Sequence, residues 1–578
     1  MIHESLSFRN LKKISKQELP LDSKIIRVAL LGDFATQLFR IALLGAGKKY
    51  GMLFEIYEAD YDQIDLQVMN PSSELYDFRP NYVFILHNNV SLKQKFYASK
   101  RKKSFGMSFI ERLNYYYNTI QSTIGAKCIL NNFSSEVDEV FGAYALKVDV
   151  SFNYQLAQIQ DGLKELLSNA SNAFMIDLAA RVNELGNNNS YDARMAVNAS
   201  MPFRLDLLAK LALDGAKVIN NQEGSFAKCL ILDLDNTMWG GVIGDDGMEG
   251  IQIGDLGIGK AFKHLQYWAK SLKERGIILA VCSKNEETTA KEPFEEHPEM
   301  VLSLDDISIF VANWESKAEN IKYIQQVLNI GFDSMVFIDD NPMERDIVRS
   351  VLPEVIVPEI PKDPVDYMDF LRGLDLFSTV NYSLSDKDRT KQYKEEAKRV
   401  QLQSNFGSIN DYLKSLEMEA EVGAFSDFYV PRITQLTQRS NQFNPRTQRY
   451  SEEEIKKIIK DDDYLSLYVV LKDKFGDYGL ISNLVLKKEN NRLFIENWVM
   501  SCRVLKRQVE ELVINIIVEL AEKEGLTKII AEYIPTKKNI LVKELYDKLD
   551  FNSVGEGKYE LNIKDYQAKK HFINVNKK

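Results

Sequence analysis

Short runs of consecutive apolar residues, most of them ending in an acidic or polar tip, recur through the middle of the chain. They alternate with stretches whose apolar positions return every three or four residues. Cys229 to Leu232, Ile277 to Val281, Ile307 to Ala312, Met335 to Ile338 and Val355 to Val357 are the runs. Gly259 to Arg275, the segments 285–296 and 316–329, and the stretch after Pro342 carry the helical spacing. Runs this short suit strands covered on both faces. Strand–helix alternation with short connections predicts a parallel, doubly wound α/β sheet. Ligands of such sheets bind beyond the carboxyl ends of the strands.

The flanking regions read differently. Before the centre, Ile25 to Leu31 is a buried-strand run closed by Gly32-Asp33, Phe34 to Leu44 continues as a helix, and Tyr82 to Leu86 is a second strand. Helical patterns occupy 105–124 and 153–183, and a loop follows from Asn183. After the centre, the charged stretch from Ser383 to Gln403 reads as an exposed helix or linker. The remainder mixes alternating strands (Tyr464 to Lys472, Leu480 to Lys487) with the amphipathic helix Arg507 to Glu522, as a separate α+β domain. At 578 residues the chain exceeds one core, and three or four domains are expected.

Composition narrows the function classes. A hydrophobic content of 45% and a charged content of 27% describe an ordinary soluble protein. The formal net charge of -10, with no basic run, argues against bulk affinity for nucleic acid or anionic lipid. The four cysteines form no CxxC pair and the five histidines show no metal-ligand spacing, so neither a disulfide framework nor structural zinc is expected. No secretory signal layout is present and no apolar stretch approaches the roughly 20 residues that span a bilayer. The expectation is a reduced, cytoplasmic protein.

Four strings concentrate the chemistry: DLDNT from Asp233, VCSKN around Ser283, the isolated Lys317, and FIDDNP around Asp340. DLDNT alone fits a capped loop after a buried strand. Several carboxylates at adjacent strand ends, however, repel unless a cation joins them. Phosphoryl transfer needs an in-line nucleophile, a proton donor for the leaving oxygen, and positive charge on the equatorial oxygens. Asp233 is the candidate nucleophile and Asp235 the general acid and then base. Ser283 and Lys317 would bind phosphoryl oxygens. Asp339 and Asp340, with Asp233 and the backbone carbonyl of Asp235, would hold Mg²⁺. Thr237 would fix the tight turn beside the substrate, and Trp239, Gly240 and Asn285 would line its place, with Trp239 also readable as a core residue. The intervals between the strings leave no room for an inserted lid, so flanking domains or a large partner would cover the site.

These residues resemble the haloacid dehalogenase (HAD) superfamily of phosphotransferases, and DLDNTMWGGVIGDDG resembles its FkbH-like branch. NWESKAENI from Asn313, FIDDNPMER from Phe337, NQFNPRTQRYS from Asn441, DKFGDYGL from Asp473 and SCRVL from Ser501 extend the likeness over most of the chain. The resemblance implies an SGNH-hydrolase-like domain over 1–225, a capless HAD domain over 226–375, a charged linker over 376–404 and a GNAT-like domain over 405–578. It also implies Mg²⁺ as cofactor. Implied too is an activity that takes 1,3-bisphosphoglycerate, removes phosphate and loads a glyceryl group onto the phosphopantetheine thiol of an acyl carrier protein. A plain small-molecule phosphatase and a non-catalytic carrier-binding scaffold are the alternatives.

Some positions depart from that pattern. A working SGNH hydrolase carries serine after Gly32-Asp33, where this chain has Phe34, so the first domain is expected to bind or pack without catalysis. Lys506 and Gln508 stand where the family has glycines whose amides approach a pyrophosphate. Cys282, beside Ser283, and Cys502 are candidate acyl-holding thiols, each weighed against a small buried hydrophobe. Tyr115, Tyr116 and Tyr117 read as packing. Asn441, Gln442, Asn444, Arg446 and Arg449 read as a recognition loop over the central site, with a solvated turn equally compatible.

Overall fold

A computed structural model describes residues 7–20, 23–224, 226–379, 389–403, 406–536 and 538–577. The chain divides into two compact units, residues 1–223 and 224–578.

The first unit is built on five parallel strands: β1 (Lys24–Gly32), β2 (Met52–Glu58), β3 (Tyr82–Leu86), β4 (Lys127–Asn131) and β5 (Ala173–Ile176), ordered β2-β1-β3-β4-β5. β3 is buried along its whole length, as an apolar pentamer between two helical layers must be. The helix expected over Phe34 to Leu44 runs instead over Gln37–Lys49. The pattern over 153–183 resolves into the helix Phe152–Asn169, β5 and the helix Leu178–Leu185. Phe34 takes the place a catalytic serine would need: it is buried and meets Phe203 edge-on at 4.9 Å. Asp33 beside it accepts from Asn88 Nδ2 at 2.7 Å and lies 3.0 Å from His87 Nδ1. Tyr116 and Tyr117 are buried while Tyr115 is half exposed, a packing cluster.

The second unit holds two sheets. The central one contains β6 (Cys229–Leu232), β7 (Ile278–Ser283), β8 (Ile309–Ala312) and β9 (Met335–Ile338), all parallel in the order β8-β7-β6-β9. Its side chains alternate between two apolar layers: Leu230, Leu232, Val281 and Ile338 face one, Cys229, Ile231, Cys282 and Phe337 the other. The segment at Val355 to Val357 makes only an isolated bridge, between Ile356 and Val336, because the next amide of the ladder would be that of Pro358, which has no N–H. Pro342 opens the helix Pro342–Val351, and the Asn341 side chain caps it by accepting from the Met343 amide.

The second sheet has eight mixed strands: β10 (Met418–Gly423), β11 (Tyr464–Asp473), β12 (Gly476–Glu489), β13 (Arg492–Met500), β14 (Lys528–Glu532), β15 (Asn552–Gly555), β16 (Lys558–Asn562) and β17 (Ile573–Lys577). β13 and β14 run parallel but pair over only three residues of each. Of the charged stretch from Ser383, residues 383–388 lie outside the described set; the rest is the helix Arg389–Gln403. No described helix is long and apolar enough to cross a membrane.

Candidate phosphotransfer site

Register creates the site. Leu232 pairs with Ile338 and with Val281, so the carboxyl ends of β6, β7 and β9 emerge side by side at one sheet edge. Asp233, Ser283, Asp339 and Asp340 all arrive there. Lys317, at the start of the helix Lys317–Leu328, reaches in from beyond β8.

The Lys317 ammonium, 3% exposed, sits 2.6 Å from Asp339 Oδ2 and 2.9 Å from Asp233 Oδ2. Burial alone would lower its pKa, but the two carboxylates outweigh burial and hold it well above the ordinary lysine value. Burial and the Asp233 charge push Asp339 up, with Lys317 pulling back; the same two causes, burial first, push Asp340 up to about 6. One ammonium therefore leaves the three carboxylates with uncompensated negative charge.

Asp233, Asp339 and Asp340 each offer an oxygen within 4.8 Å of the others. The available oxygens can be identified. Asp339 uses Oδ2 for Lys317 and Oδ1 to accept from the Asn341 amide at 2.8 Å. Asp233 Oδ1 is buried with no hydrogen-bond partner among the described residues, and the Asp340 carboxylate has no ion-pair partner among them. An all-oxygen set with an orphaned buried carboxylate oxygen fits a hard divalent cation. Asp235, expected there through its backbone carbonyl, contributes no side-chain oxygen to this group.

Asp235 is held otherwise. Its Oδ1 accepts from Trp239 Nε1 at 2.9 Å and from the Ile243 amide at 3.0 Å; its Oδ2 accepts from Asn285 Nδ2 at 2.8 Å. Three donors fix the carboxylate two residues from the candidate nucleophile. Asn285, expected to touch substrate, is instead buried and positions Asp235, and Trp239 takes its alternative reading, a core residue that donates to the same carboxylate. Thr237 likewise is fully buried: its Oγ1 accepts from the Asp340 amide at 3.1 Å, tying the two acidic loops together. Gly240 does line a cavity of about 510 Å³ that opens beside Asp340, with Asn236, Gln252 and Tyr367 on its other walls. Ser283, 1% exposed, stands at the same edge, and its Oγ lies 3.4 Å from Asn285 Nδ2.

A structure of the N-terminal part of the protein BF1531 from Bacteroides fragilis, described as containing a phosphatase domain complexed with Mg, is 45% identical, with a TM-score of 0.62; the match covers 65% of this chain and 99% of that one. Residues 27–220 match the family described as FkbH, N-terminal domain. The chain belongs to the FkbH family. Two acetyltransferases are also similar over a quarter of the chain: the ribosomal-protein-S18-alanine N-acetyltransferase of Escherichia coli (14% identity, 25% of this chain and 94% of that one, TM-score 0.20) and the spermidine N-acetyltransferase of Vibrio cholerae (16%, 25% and 96%, 0.21). No curated protein matches the chain.

Two further expectations for this FkbH-family chain are corrected. Cys282 cannot hold an acyl group as arranged. It is fully buried in the apolar layer with Cys229 and Phe337, its Sγ faces the Lys317 carbonyl at 3.7 Å, and burial pushes the thiol far above the range in which a thiolate forms. Cys502, the alternative thiol, is half-buried away from the acidic cradle, and its carbonyl accepts from Asn329 beyond the far end of the helix Lys317–Leu328. The loop from Asn441 does not cover the site. Asn441 Nδ2 donates to the Gly224 carbonyl at 2.7 Å, which puts this loop at the opposite, amino-terminal edge of the central strands. Arg446 is committed to its own sheet, at 2.7 Å from both Glu532 Oε2 and the Glu496 carbonyl.

Sequence reasoning missed Arg345 and Asn236. The buried Arg345 guanidinium donates to the carbonyls of Asp339 and Asp340, both at 2.7 Å, and so clamps the acidic loop. Asn236 adopts a left-handed φ of 54° and caps the turn by accepting from the Gly241 amide at 3.0 Å. The asparagine in DLDNT was the available signal for that turn.

Proposed function

We propose that the second unit is a Mg²⁺-dependent phosphohydrolase working through a phosphorylated Asp233, and that it serves to load an acyl group from an acyl phosphate such as 1,3-bisphosphoglycerate onto an acyl carrier protein. The observation that carries the reading is the Asp233 carboxylate, with one oxygen on Lys317 and the other buried and without a hydrogen-bond partner among the described residues. Asp233 and Asp340 would hold the cation, with Asp339 between Lys317 and the loop. Bound there, Mg²⁺ would supply positive charge to the phosphoryl oxygens. Asp233 attacks phosphorus as the bond to the leaving oxygen breaks, and Asp235 protonates that oxygen. Asp235 then takes a proton from the water that cleaves the acyl-phosphate of Asp233. Lys317 and Ser283 would steady the phosphoryl oxygens, and the cavity bounded by Gly240 and Asn236 would take the rest of the substrate.

Loading needs a different bond to break. Attack of Asp233 on an acyl phosphate severs P–O and leaves a carboxylate, which cannot acylate a thiol. The acyl group must instead be taken by the carrier's thiolate at the carbonyl carbon, with the C–O bond breaking and phosphate leaving with the electron pair. The phosphate ester at the other end of 1,3-bisphosphoglycerate is then the group that Asp233 removes. The one cysteine beside the acidic cradle among the described residues, Cys282, has its thiol buried in the apolar layer, so the carrier's own thiol is the acceptor in this scheme. The buried state of Cys282 also favours a second reading, a small-molecule phosphatase with no acyl acceptor.

Reaction in heavy-oxygen water with carrier protein and Mg²⁺ separates the two. The loading reading expects a glyceryl mass gain on the carrier and two phosphates released, of which one carries the label. Both phosphates labelled, with no mass gain, leaves the phosphatase. No phosphate release from any acyl phosphate or phosphate ester overturns both.

A further inference from the structure

A cavity of about 480 Å³ lies at the amino-terminal edge of the central sheet, walled by the helix Val430–Arg439 and the end of β13. Lys228 precedes β6 and Asp333 precedes β9 on its wall, whereas Asp233 and Asp339 follow the same strands. The cavity and the acidic cradle are therefore separated by the length of the strands, roughly 15 Å at about 3.3 Å per residue.

The two places have opposite charge. The cavity wall carries five cationic side chains, Lys228, Arg432, Arg439, Arg503 and Lys538, against two carboxylates, Asp333 and Glu354. Lys538 pairs with Asp333 at 2.9 Å. Burial would raise the Asp333 pKa, yet Lys538 and Lys228 hold it below the ordinary carboxylate value.

Arg503 decides what such a cavity would take. It is 7% exposed, and its hydrogen bonds go to Ser501 Oγ at 3.3 Å, the Tyr478 carbonyl at 3.3 Å and the Gln392 side chain. All three are neutral, and no carboxylate stands within ion-pair distance among the described residues. A buried guanidinium without a counter-charge is costly, and an anion offsets that cost. Gln442 on the same wall has a buried amide oxygen with no donor among the described residues. The vacant partners are thus one anion and one hydrogen-bond donor, in a volume suited to a small metabolite.

We propose that this cavity binds a small hydroxylated organic anion, phosphorylated or carboxylated, with its charged group on Arg503 and a hydroxyl donating to Gln442. The site is separate from the phosphotransfer centre and does not depend on the reaction proposed there.

The test is calorimetric titration of the full-length protein with glycerol 3-phosphate and with citrate, in the presence of a chelator. Without cation the cradle's three carboxylates outnumber its lysine and disfavour anions. One saturable site is expected for at least one of the two probes, and which of them binds shows whether phosphate or carboxylate is preferred. Arg503→Gln should weaken binding about tenfold or more, the usual size for a buried charge-assisted bond. Arg439→Gln, which leaves the Arg503 bonds in place, should weaken it about threefold or more and keeps the test informative if the Arg503 variant does not fold. Gln442→Ala should weaken both probes. No saturable binding of either probe overturns the proposal. So does affinity unchanged in Arg439→Gln and in any folded Arg503→Gln, or binding lost only in Lys317→Met, which would assign it to the cradle.

Discussion

Asp235 receives donors from Trp239, Ile243 and Asn285 at 2.8–3.0 Å, so its carboxylate is oriented by partners that substitution to asparagine would largely keep. What Asp235→Asn removes is the exchangeable proton. Phosphate release should fall by about 10²–10⁴-fold, the usual worth of a positioned acid–base group. Cation affinity, measured by calorimetry, should stay within about threefold because Asp233 and Asp340 are untouched. Turnover near the wild-type rate would remove Asp235 from the proton path. Cys282 gives the opposite expectation. Because its thiol is buried against Phe337, Cys282→Ala should leave both phosphate release and acyl loading unchanged, at a stability cost of about 1 kcal/mol for the small void. Selective loss of loading, read by intact mass of the carrier, would restore the cysteine to the chemistry.

At the scale of elements, the helix Val509–Lys523 has Glu510 at its second position beside a cavity. Burial, with a smaller contribution from Glu511, pushes the Glu510 carboxyl up to about 7 from an ordinary 4.5. A carboxyl raised on folding binds its proton more tightly in the native state. Its penalty is absent below the unfolded value and complete above the folded one. Glu510→Gln should therefore leave the urea midpoint unchanged near pH 4.5 and stabilise the protein at pH 8 by on the order of 1–2 kcal/mol. The helix N-terminus favours the anion by a few tenths of that and trims the gain. An effect of equal size at both pH values would mean that the carboxylate is solvated.

Strand ends in the central sheet were legible in the sequence. Cys229 to Leu232 and Met335 to Ile338 stand in the structure with the ends expected of them, because a run buried on both faces has no polar position to blur it. The positions of Asp233, Ser283, Asp339 and Asp340 follow from strand ends alone. β5 was hidden because four residues, AFMI, between helical segments carry no period of their own. The strand at Val355 failed because the pattern registers apolarity and not the missing N–H of Pro358 that ends the pairing. Long-range placement was not legible at all. Nothing local in NQFNPRTQRYS tells which end of the central sheet it meets, and the contact of Asn441 with Gly224 decides it.

For the second unit as a whole, the helix Arg389–Gln403 explains why two sheets form one compact body. Tyr393 enters the apolar layer of the central sheet with Ile231 and Cys282. Arg399, 1% exposed, binds Asp473 of β11 through two bonds of 2.8 Å, and Glu396 meets Arg507 at 2.7 Å. One helix thus anchors in both sheets, by apolar contact on one and by buried ion pairs on the other. Removing one member of such a pair strands the other charge, so Arg399→Met should cost about 3–5 kcal/mol. Replacing both members, Arg399→Met with Asp473→Leu, should recover a large part of that loss, since the stranded carboxylate is gone. If the helix joins the sheets, the single variant should lower amide-exchange protection in the helix Lys317–Leu328 as well as in β11 and β12. Loss confined to β11 and β12 would show that Arg399 stabilises only its own sheet and that the apolar seat of Tyr393 holds the central layer unaided.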